Sequence, residues 1–377
     1  MKPRWDIFCA VVDNFGDIGI CWRLARQLRV DHGQRVRLWV DDLTSFASIQ
    51  PAIDPAADEQ TLDGVEIRKW SESFPPVEPA QIVVEGFGVR LPAAYLEAMT
   101  AMQPQPVWIN LEHISAEPWV DGCHGLPSPH PRLPLTKYFF FPGFTPQTAG
   151  VLIEKKFRDA RDEFNSSASA RGDFLRALGV EPQPGSLCIS LFCYENAALG
   201  DLIAAWSQSA IPVYCYVAAG RALAAVNTVA GRLDAGAVMV RGALTLIALP
   251  FLSMDAYDRL LWACDVNFVR GEDSFVRAQL AARPLIWQAY LQNDDAHLAK
   301  EGAFLDRYLS GLDAKTARVW RQLNECWNRQ LPAGPAWNDF AGGLDEASAH
   351  ARAWAARLLA GNHLADKLAE FCLNRLK

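Results

Sequence analysis

The chain has 377 residues, 50% of them apolar, and its formal net charge at pH 7 is -7. This length exceeds the usual size of one hydrophobic core, so we expect two compact domains of roughly 150 to 200 residues rather than a disordered chain. The acidic balance and the lack of any block of basic residues disfavour nucleic acid or an anionic membrane as a partner.

The cysteines indicate a reducing compartment. Nine of them occur, mostly inside apolar runs and without a Cys-x-x-Cys pair, which favours buried free thiols. We find no export signal and no run of about 18 apolar residues that would predict a membrane span. We therefore expect a cytoplasmic protein.

The first part of the chain alternates apolar, β-branched runs with segments of helical period. This alternation predicts βαβ units around a parallel sheet, in a Rossmann-like domain over residues 1–155. The predicted strands are 5–12, 35–41, 65–70, 81–87, 106–112 and 136–141, and the predicted helices are 18–30 and 92–102. The polar, small residues of 156–184 predict a linker region.

A second alternating series predicts another Rossmann-like domain over residues 185–345. Its predicted strands are 187–194, 212–218, 244–250, 265–270 and 285–290, and its predicted helices are 196–208, 254–263, 274–282 and 294–307. Residues 346–377 carry apolar side chains at steps of three and four, which predicts an amphipathic helical tail.

The first candidate site is the loop that follows strand 5–12, where Asp13 and Asp17 flank Gly16. The carboxyl end of the first strand is where open α/β sheets bind ligands. Gly16 would permit a positive φ or a close approach of a ligand, and Asp17 would lie near the first turn of a helix. The alternative is that Asp17 is only a helix cap and Asp13 only ends the strand.

The second candidate site is the segment 268–275, where a strand, a glycine and three polar residues precede a helix. Asp273 or Ser274 could cap that helix and leave amides for a phosphate, and Glu272 could accept hydrogen bonds from ribose hydroxyls. A plain capping motif would give the same residues.

Aromatic residues follow the predicted strands of the second domain, where they could stack on a base or cover a sugar. Core packing is the alternative for each ring taken alone. These residues are Phe192, Tyr194, Phe251, Tyr257 and Tyr290.

Several chemistries lack their motifs. The spacing of His113, Cys123, His124 and His130 matches no zinc template, and no Asp-x-Asp occurs, so we expect no metal. Neither a Walker sequence nor a Gly-x-Ser-x-Gly elbow is present, and the glycines of the first loop form only part of a dinucleotide fingerprint.

Taken together, long motifs in both halves resemble one family closely. The segments are 11–19 with Trp22-Arg23-Leu24, 38–43, 190–195, 267–275 and 294–298. The chain resembles the bacterial elongation factor P arginine rhamnosyltransferases, the EarP family. The resemblance runs over nearly the full length.

The resemblance implies a GT-B-type α/β glycosyltransferase, with two Rossmann-like domains facing across a cleft and a C-terminal helix packing back toward the N-terminal domain. It also implies dTDP-β-L-rhamnose as the donor and an arginine of elongation factor P as the acceptor. The transfer would invert the anomeric centre and use neither a metal nor another cofactor. The alternatives are another nucleotide-sugar glycosyltransferase, an NAD-dependent oxidoreductase or a two-domain binding protein.

The residue roles follow the same resemblance. It implies that Asp13 and Asp17 act on the acceptor side, and we assign Glu272 to the catalytic set with them. We assign to donor binding Asn14, Phe15, Gly16, Phe192, Tyr194, Phe251, Tyr257, Glu272, Asp273, Ser274 and Tyr290. Met254 stands where the family pattern leads us to expect a polar residue, often Gln, that helps to read thymine.

The chemistry of the acceptor favours a carboxylate pair. A guanidinium has a pKa above about 12 and attacks poorly until it loses a proton. Two carboxylates can orient it by bidentate hydrogen bonds and remove that proton. We expect Asp17 to be the base, because of its predicted position at a helix start, and Asp13 to orient the guanidinium.

Overall fold

A computed structural model describes residues 2–12, 15–71 and 74–376, with only the backbone of Asn293. The chain forms two compact units, Met1–Lys155 with Leu358–Lys377, and Lys156–Arg357. The chain thus passes from one unit to the other twice. Among the helices of the described residues, none combines the length and the apolar character that a membrane span needs.

The first unit is built on an eight-stranded sheet whose order is β3-β4-β2-β1-β5-β6-β8-β7. The strands are β1 (Arg4–Cys9), β2 (Arg35–Val40), β3 (Glu59–Leu62), β4 (Val65–Lys69), β5 (Ile82–Gly86), β6 (Val107–Leu111), β7 (Pro127–Pro129) and β8 (Thr136–Phe140). Its first helices are α1 (Gly16–Val30), α2 (Leu43–Ile49), α3 (Ala93–Thr100) and α4 (Val120–Cys123). All pairs are parallel except those of β3 and β7. The order reverses between β1 and β5, which creates a crevice at their carboxyl ends.

The second unit has a six-stranded sheet in the order β11-β12-β10-β9-β13-β14. The strands are β9 (Leu187–Leu191), β10 (Val213–Val217), β11 (Val238–Arg241), β12 (Leu244–Ala248), β13 (Val266–Arg270) and β14 (Leu285–Gln288). The helices that begin in this unit are α5 (Phe157–Ser166), α6 (Ala170–Ala177), α7 (Leu199–Ser207), α8 (Arg221–Ala230), α9 (Met254–Ala263), α10 (Asp273–Leu280), α11 (Ala296–Tyr308), α12 (Ala314–Asn328), α13 (Gly334–Ala341) and α14 (Leu344–Ala360). Only β11 is antiparallel. The order reverses between β9 and β13.

The central strands of both sheets are covered on their two faces, which explains their continuous apolar runs. The strands β5, β6, β9, β10 and β13 are buried along their whole length. All nine cysteines are free thiols, and burial raises the pKa of the Cys215 and Cys372 thiols. These thiols therefore behave as small apolar side chains of the core.

The C-terminal helix α15 (Leu364–Arg375) packs on the first unit, as predicted for the tail. The ring of Phe371 contacts those of Tyr138 and Phe140, with centroids 5.5 and 5.4 Å away. Where the chain enters this helix, a Cβ built on Gly150 would lie 1.7 Å from the carbonyl oxygen of Asn362. The close approach of the two backbones thus requires glycine, whose φ of +76° also lies in the left-handed region.

Two parts of the predicted organisation differ from the structure. The segment 156–184, predicted as a linker, contains α5 and α6 and belongs to the second unit. Arg277 explains part of this packing, because it pairs with Asp258 at 2.6 Å while its guanidinium lies 4.1 Å from the ring centroid of Phe157 on α5. The predicted tail of 346–377 is also divided, since its residues up to Arg357 belong to the second unit.

Candidate functional site

In the first unit, two acidic side chains hold the segment that follows β1. The backbone N–H of Val11 donates to Asp41 Oδ1 at 2.9 Å, and that of Val12 donates to Asp17 Oδ2 at 3.0 Å. These bonds turn the chain away from the sheet, so β1 ends at Cys9 and not at the predicted residue 12. Asp17 lies in the first turn of α1 and is 6% exposed.

The start of α1 packs tightly on the carboxyl ends of β1 and β5. A Cβ on Gly86 would lie 2.8 Å from Cys21 Sγ and 3.0 Å from the carbonyl oxygen of Phe8. Cys9, at the end of β1, forms a side-chain hydrogen bond with Cys21, and this bond together with burial raises the pKa of Cys9 well above its usual value. Because Asp17 and Cys21 are four residues apart on α1, this contact places Asp17 over the crevice.

The other predicted residues of this loop have mixed outcomes. Asp13 and Asn14 lie outside the described residues, so their predicted roles stay predictions. Phe15 is the N-cap residue of α1. Gly16 is the first residue of the helix, so it does not adopt the positive φ that a glycine permits, and the close approach of a ligand stays a prediction.

In the second unit, the crevice between β9 and β13 collects most of the predicted donor residues. Phe192 follows β9 directly, and its N–H donates to the carbonyl of Phe268 at 2.9 Å. Tyr194 is 3% exposed, and its N–H donates to Gln288 Oε1 at 2.9 Å. Glu272 follows the end of β13. Two loops that are far apart in sequence therefore meet where an open α/β sheet binds its ligand.

A buried cation lies in this crevice that the sequence analysis did not single out. The guanidinium carbon of Arg270 is 4.4 Å from the ring centroid of Phe192 and 4.3 Å from that of Tyr194. Arg270 is 4% exposed. The sequence did show a charged residue at the end of an apolar strand. Because a buried charge requires a partner, this position could have indicated a functional residue.

The start of α10 differs from the predicted cap. Glu272 is the N-cap residue and Asp273 is the first helical residue. Ser274 is buried, and its hydroxyl donates to the carbonyl of Arg270, so neither Asp273 nor Ser274 caps the helix. The first-turn amides of α10 nevertheless lie at the crevice, where they favour negative charge.

Four of the predicted aromatic residues form two contacting pairs, and two of the five are exposed. Phe192 and Tyr257 pack edge to face with centroids 5.6 Å apart, as do Tyr194 and Tyr290 at the same distance. Burial raises the pKa of Tyr257. Phe251 is 53% exposed and Tyr290 is 52% exposed, so both rings are open to a ligand.

Phe251 lies on the neighbouring loop before α9, and Met254 begins that helix. A Cβ on Gly220, the N-cap residue of α8, would lie 3.7 Å from the Phe251 ring. Met254 is the first residue of α9 and is 8% exposed.

The histidines of the first unit have local structural partners. His124 Nδ1 accepts a hydrogen bond from the N–H of Phe141 at 3.0 Å, and His130 Nδ1 accepts one from Leu133 at 3.0 Å. His113 stacks on Phe87 with centroids 4.4 Å apart. Over residues 2–12, 15–71 and 74–376, no group of three or more His, Cys, Asp or Glu could hold a metal ion.

Comparison with solved structures defines the class. A glycosyltransferase from Rickettsia africae shares the fold with a TM-score of 0.54 at 10% identity, covering 100% of this chain and 99% of that one. The structure that describes EarP-mediated arginine glycosylation of translation elongation factor EF-P matches with a TM-score of 0.72 at 38% identity, covering 99% of both chains. The chain is a glycosyltransferase with the two Rossmann-like domains of the GT-B fold.

The chain belongs to the EarP family, described as elongation-factor P (EF-P) rhamnosyltransferases, whose model matches residues 5–373. The protein-arginine rhamnosyltransferase of Pseudomonas putida is 49% identical over 100% of both chains. That of Pseudomonas aeruginosa is 46% identical over 97% of this chain and 98% of its own. The predicted family and fold class are confirmed.

Proposed function

We propose that this enzyme transfers L-rhamnose from dTDP-β-L-rhamnose to an arginine side chain of elongation factor P, with inversion at the anomeric carbon. The crevice of the second unit holds the donor, and the loop after β1 acts on the acceptor. Membership in the EarP family supports the acceptor and the sugar. The observation that carries the donor assignment is Arg270, a buried cation against two aromatic rings at the sheet's reversal point.

The donor assignment fits the charge that the reaction develops. When the bond between the anomeric carbon and the diphosphate oxygen breaks, both bonding electrons leave with dTDP. Arg270 and the first-turn amides of α10 supply positive charge where that group departs. Glu272, Asp273 and Ser274 line the same turn and bind the sugar and the diphosphate. Phe192, Tyr194, Phe251, Tyr257 and Tyr290 surround the nucleotide.

The acceptor assignment depends on proton removal. A guanidinium nitrogen forms the new bond to the anomeric carbon and must give up one proton as it does so. We assign that proton to the carboxylate of Asp17, which the contacts of α1 hold over the crevice of the first unit. Asp13 orients the guanidinium, and the product is an α-rhamnosyl arginine. No step requires a metal ion or another cofactor.

Mass spectrometry of elongation factor P tests this proposal directly. Incubation with the enzyme and dTDP-rhamnose should add one deoxyhexose to a single arginine, and replacing that arginine by lysine should abolish the addition. A UDP-hexose is the control donor and should give no product. Addition of sugar from the control donor, or at a residue other than arginine, would contradict the proposed substrates.

A further inference from the structure

Helix α12 covers the open edge of β14, the last strand of the second sheet. Three of its side chains, four residues apart, make hydrogen bonds to the backbone of that strand. Trp320 Nε1 donates to the carbonyl of Leu285 at 3.0 Å. Asn324 Oδ1 accepts from the N–H of Trp287 at 3.2 Å.

Asn328 makes the last two bonds of this series. Its Nδ2 donates to the carbonyl of Trp287 at 2.7 Å, and its Oδ1 accepts from the N–H of Ala289 at 3.0 Å. The amide therefore brackets the backbone at the carboxyl end of β14, one residue before Tyr290. Asn328 is 4% exposed and Ala289 is 2% exposed, so water does not compete for these bonds.

The spacing explains how a helix can replace a strand here. Four residues of an α-helix advance about 6.0 Å, and two residues of a β-strand advance about 6.6 Å. Side chains at every fourth helical position thus stay in register with the outward-facing backbone groups of every second strand residue. We call Trp320, Asn324 and Asn328 the edge ladder.

β14, which the edge ladder holds, makes two contacts with the donor crevice, and Tyr290, two residues after the strand, makes a third. Trp287 Nε1 donates to the carbonyl of Gly271 at 3.0 Å, beside Glu272. Gln288 Oε1 accepts from the N–H of Tyr194 at 2.9 Å. The Tyr290 ring packs on Tyr194. The position of β14 therefore sets both loops of the crevice.

We propose that the edge ladder positions the donor site, and that Asn328 is the residue that fixes Tyr290 for donor binding. This inference rests on the proposed role of the crevice as the dTDP-rhamnose site. Asn328 touches no reacting group and acts through β14. Loss of its amide frees the carboxyl end of the strand, whereas loss of the Trp320 bond frees the end far from Tyr290.

The test is a titration of the full-length enzyme with dTDP by calorimetry, together with steady-state kinetics. Asn328→Ala should raise the Kd for dTDP about tenfold and raise KM for the donor similarly, with kcat nearly unchanged. Trp320→Phe is the matched control. It removes a bond of the same ladder and should lower Tm, yet leave the Kd within about twofold of wild type.

A double-mutant cycle separates positioning from general destabilisation. Tyr290→Ala should raise the Kd by itself, and adding Asn328→Ala should raise it no further. Where Asn328→Ala does not fold, Asn324→Ala takes its place and should raise the Kd by less than tenfold but by more than Trp320→Phe does.

Two results would overturn the inference in distinguishable ways. If Tyr290→Ala weakens dTDP binding but Asn328→Ala does not, or if the two effects add in the double mutant, the ladder has no positioning role and the donor site stands. If Tyr290→Ala leaves the Kd unchanged, the proposed donor site is itself misplaced and the role of Asn328 is lost with it.

Discussion

The backbone amide of Val12 donates a hydrogen bond to the Asp17 carboxylate at 3.0 Å, just before the loop that we assign to the acceptor. The preceding amide, that of Val11, donates to Asp41 at 2.9 Å. Two acids thus hold one segment in the same way. Of these two acids only Asp17 is buried, whereas Asp41 is exposed. Replacing each in turn therefore separates a chemical role of Asp17 from a role in holding the segment.

Asp17→Asn should abolish most rhamnosyl transfer and leave dTDP binding unchanged. The Asn carbonyl still accepts the Val12 hydrogen bond, but it cannot take a proton, so kcat should fall about 100-fold or more. Transfer is measured by mass spectrometry of the acceptor and donor binding by calorimetry. Asp41→Asn is the matched control and should keep activity within about threefold. Equal losses in both variants would mean that Asp17 only holds the loop.

Arg270→Lys should weaken dTDP binding about tenfold or more, although the charge is kept. A planar guanidinium can lie between the rings of Phe192 and Tyr194, and an ammonium cannot replace that stacking. Arg221→Gln is the control. Arg221 is exposed, its guanidinium carbon lies 5.7 Å from the centroid of the Tyr194 ring, and it forms a salt bridge with Glu195. The Kd for dTDP should change little in that variant. An unaltered Kd in Arg270→Lys would remove Arg270 from the donor site.

Chelation should not reduce transfer. The positive charge that a metal would provide at the leaving diphosphate comes in our proposal from Arg270 and from the amides at the start of α10. Initial rates with excess EDTA should therefore match those with added magnesium or manganese. A large loss that either metal restores would refute the metal-free mechanism.

Glu301 should make the second unit less stable at alkaline pH. Burial raises the pKa of Glu301 from 4.5 to about 8, and the carboxyl is 3% exposed on α11. The groups that act on it are Asn328, Glu325, Arg329 and Arg321. Because the folded pKa is raised, its contribution to stability is complete below the unfolded value of 4.5 and is lost as pH rises through about 8.

The check is Tm as a function of pH for Glu301→Gln against wild type. The neutral amide avoids burying a charge, so the Tm of the variant should rise relative to wild type as the pH increases from 4.5 to about 8. The corresponding gain in the free energy of unfolding is at most about 1.4 kcal/mol per pH unit. Glu346→Gln, at an exposed position of α14 and not among the groups that act on Glu301, is the control and should show a difference that changes little with pH. A pH-independent difference for Glu301→Gln would contradict the raised pKa.

The strand pattern and the crevices were predictable because burial on both faces imposes continuous apolar runs. The predicted strands 187–194 and 265–270 overlap β9 and β13 closely, and the rings after β9 contact Arg270 at the end of β13. Polar residues that do not recur with a helical or strand period gave little indication of which element they belong to. The helix α12 was not predicted, since its Asn324 and Asn328 are inward-facing residues that read as polar surface until their strand partners are known.

Arg270 escaped notice for a related reason. A charged residue at a strand end usually reaches solvent, and only the three-dimensional contacts with Phe192 and Tyr194 show that it does not. A glycine at a strand-to-helix turn is compatible with either sign of φ, so the sequence alone did not determine that Gly16 begins the helix. The positions of the site residues in the first loop depend on local backbone conformation, which the period of apolar residues does not determine.

Gly150→Ala should destabilise the first unit by displacing α15. The new Cβ would lie 1.7 Å from the Asn362 carbonyl oxygen, and a backbone atom cannot move aside without shifting the helix that follows it. Gly125→Ala is the matched control, because Gly125 has a φ of +78° and its Cβ would meet Phe371 of the same helix at an ordinary 3.6 Å.

The control measures the strain of a left-handed alanine alone, about 1 kcal/mol, whereas the clash at Gly150 should bring the total to roughly 3 kcal/mol. Thermal unfolding should therefore give a Tm for Gly150→Ala roughly 4 to 8 °C below that of Gly125→Ala. Limited proteolysis should cut the Gly150→Ala variant after residue 360 at an enzyme concentration that leaves the control intact. Equal Tm values for the two variants would show that α15 does not depend on this backbone contact.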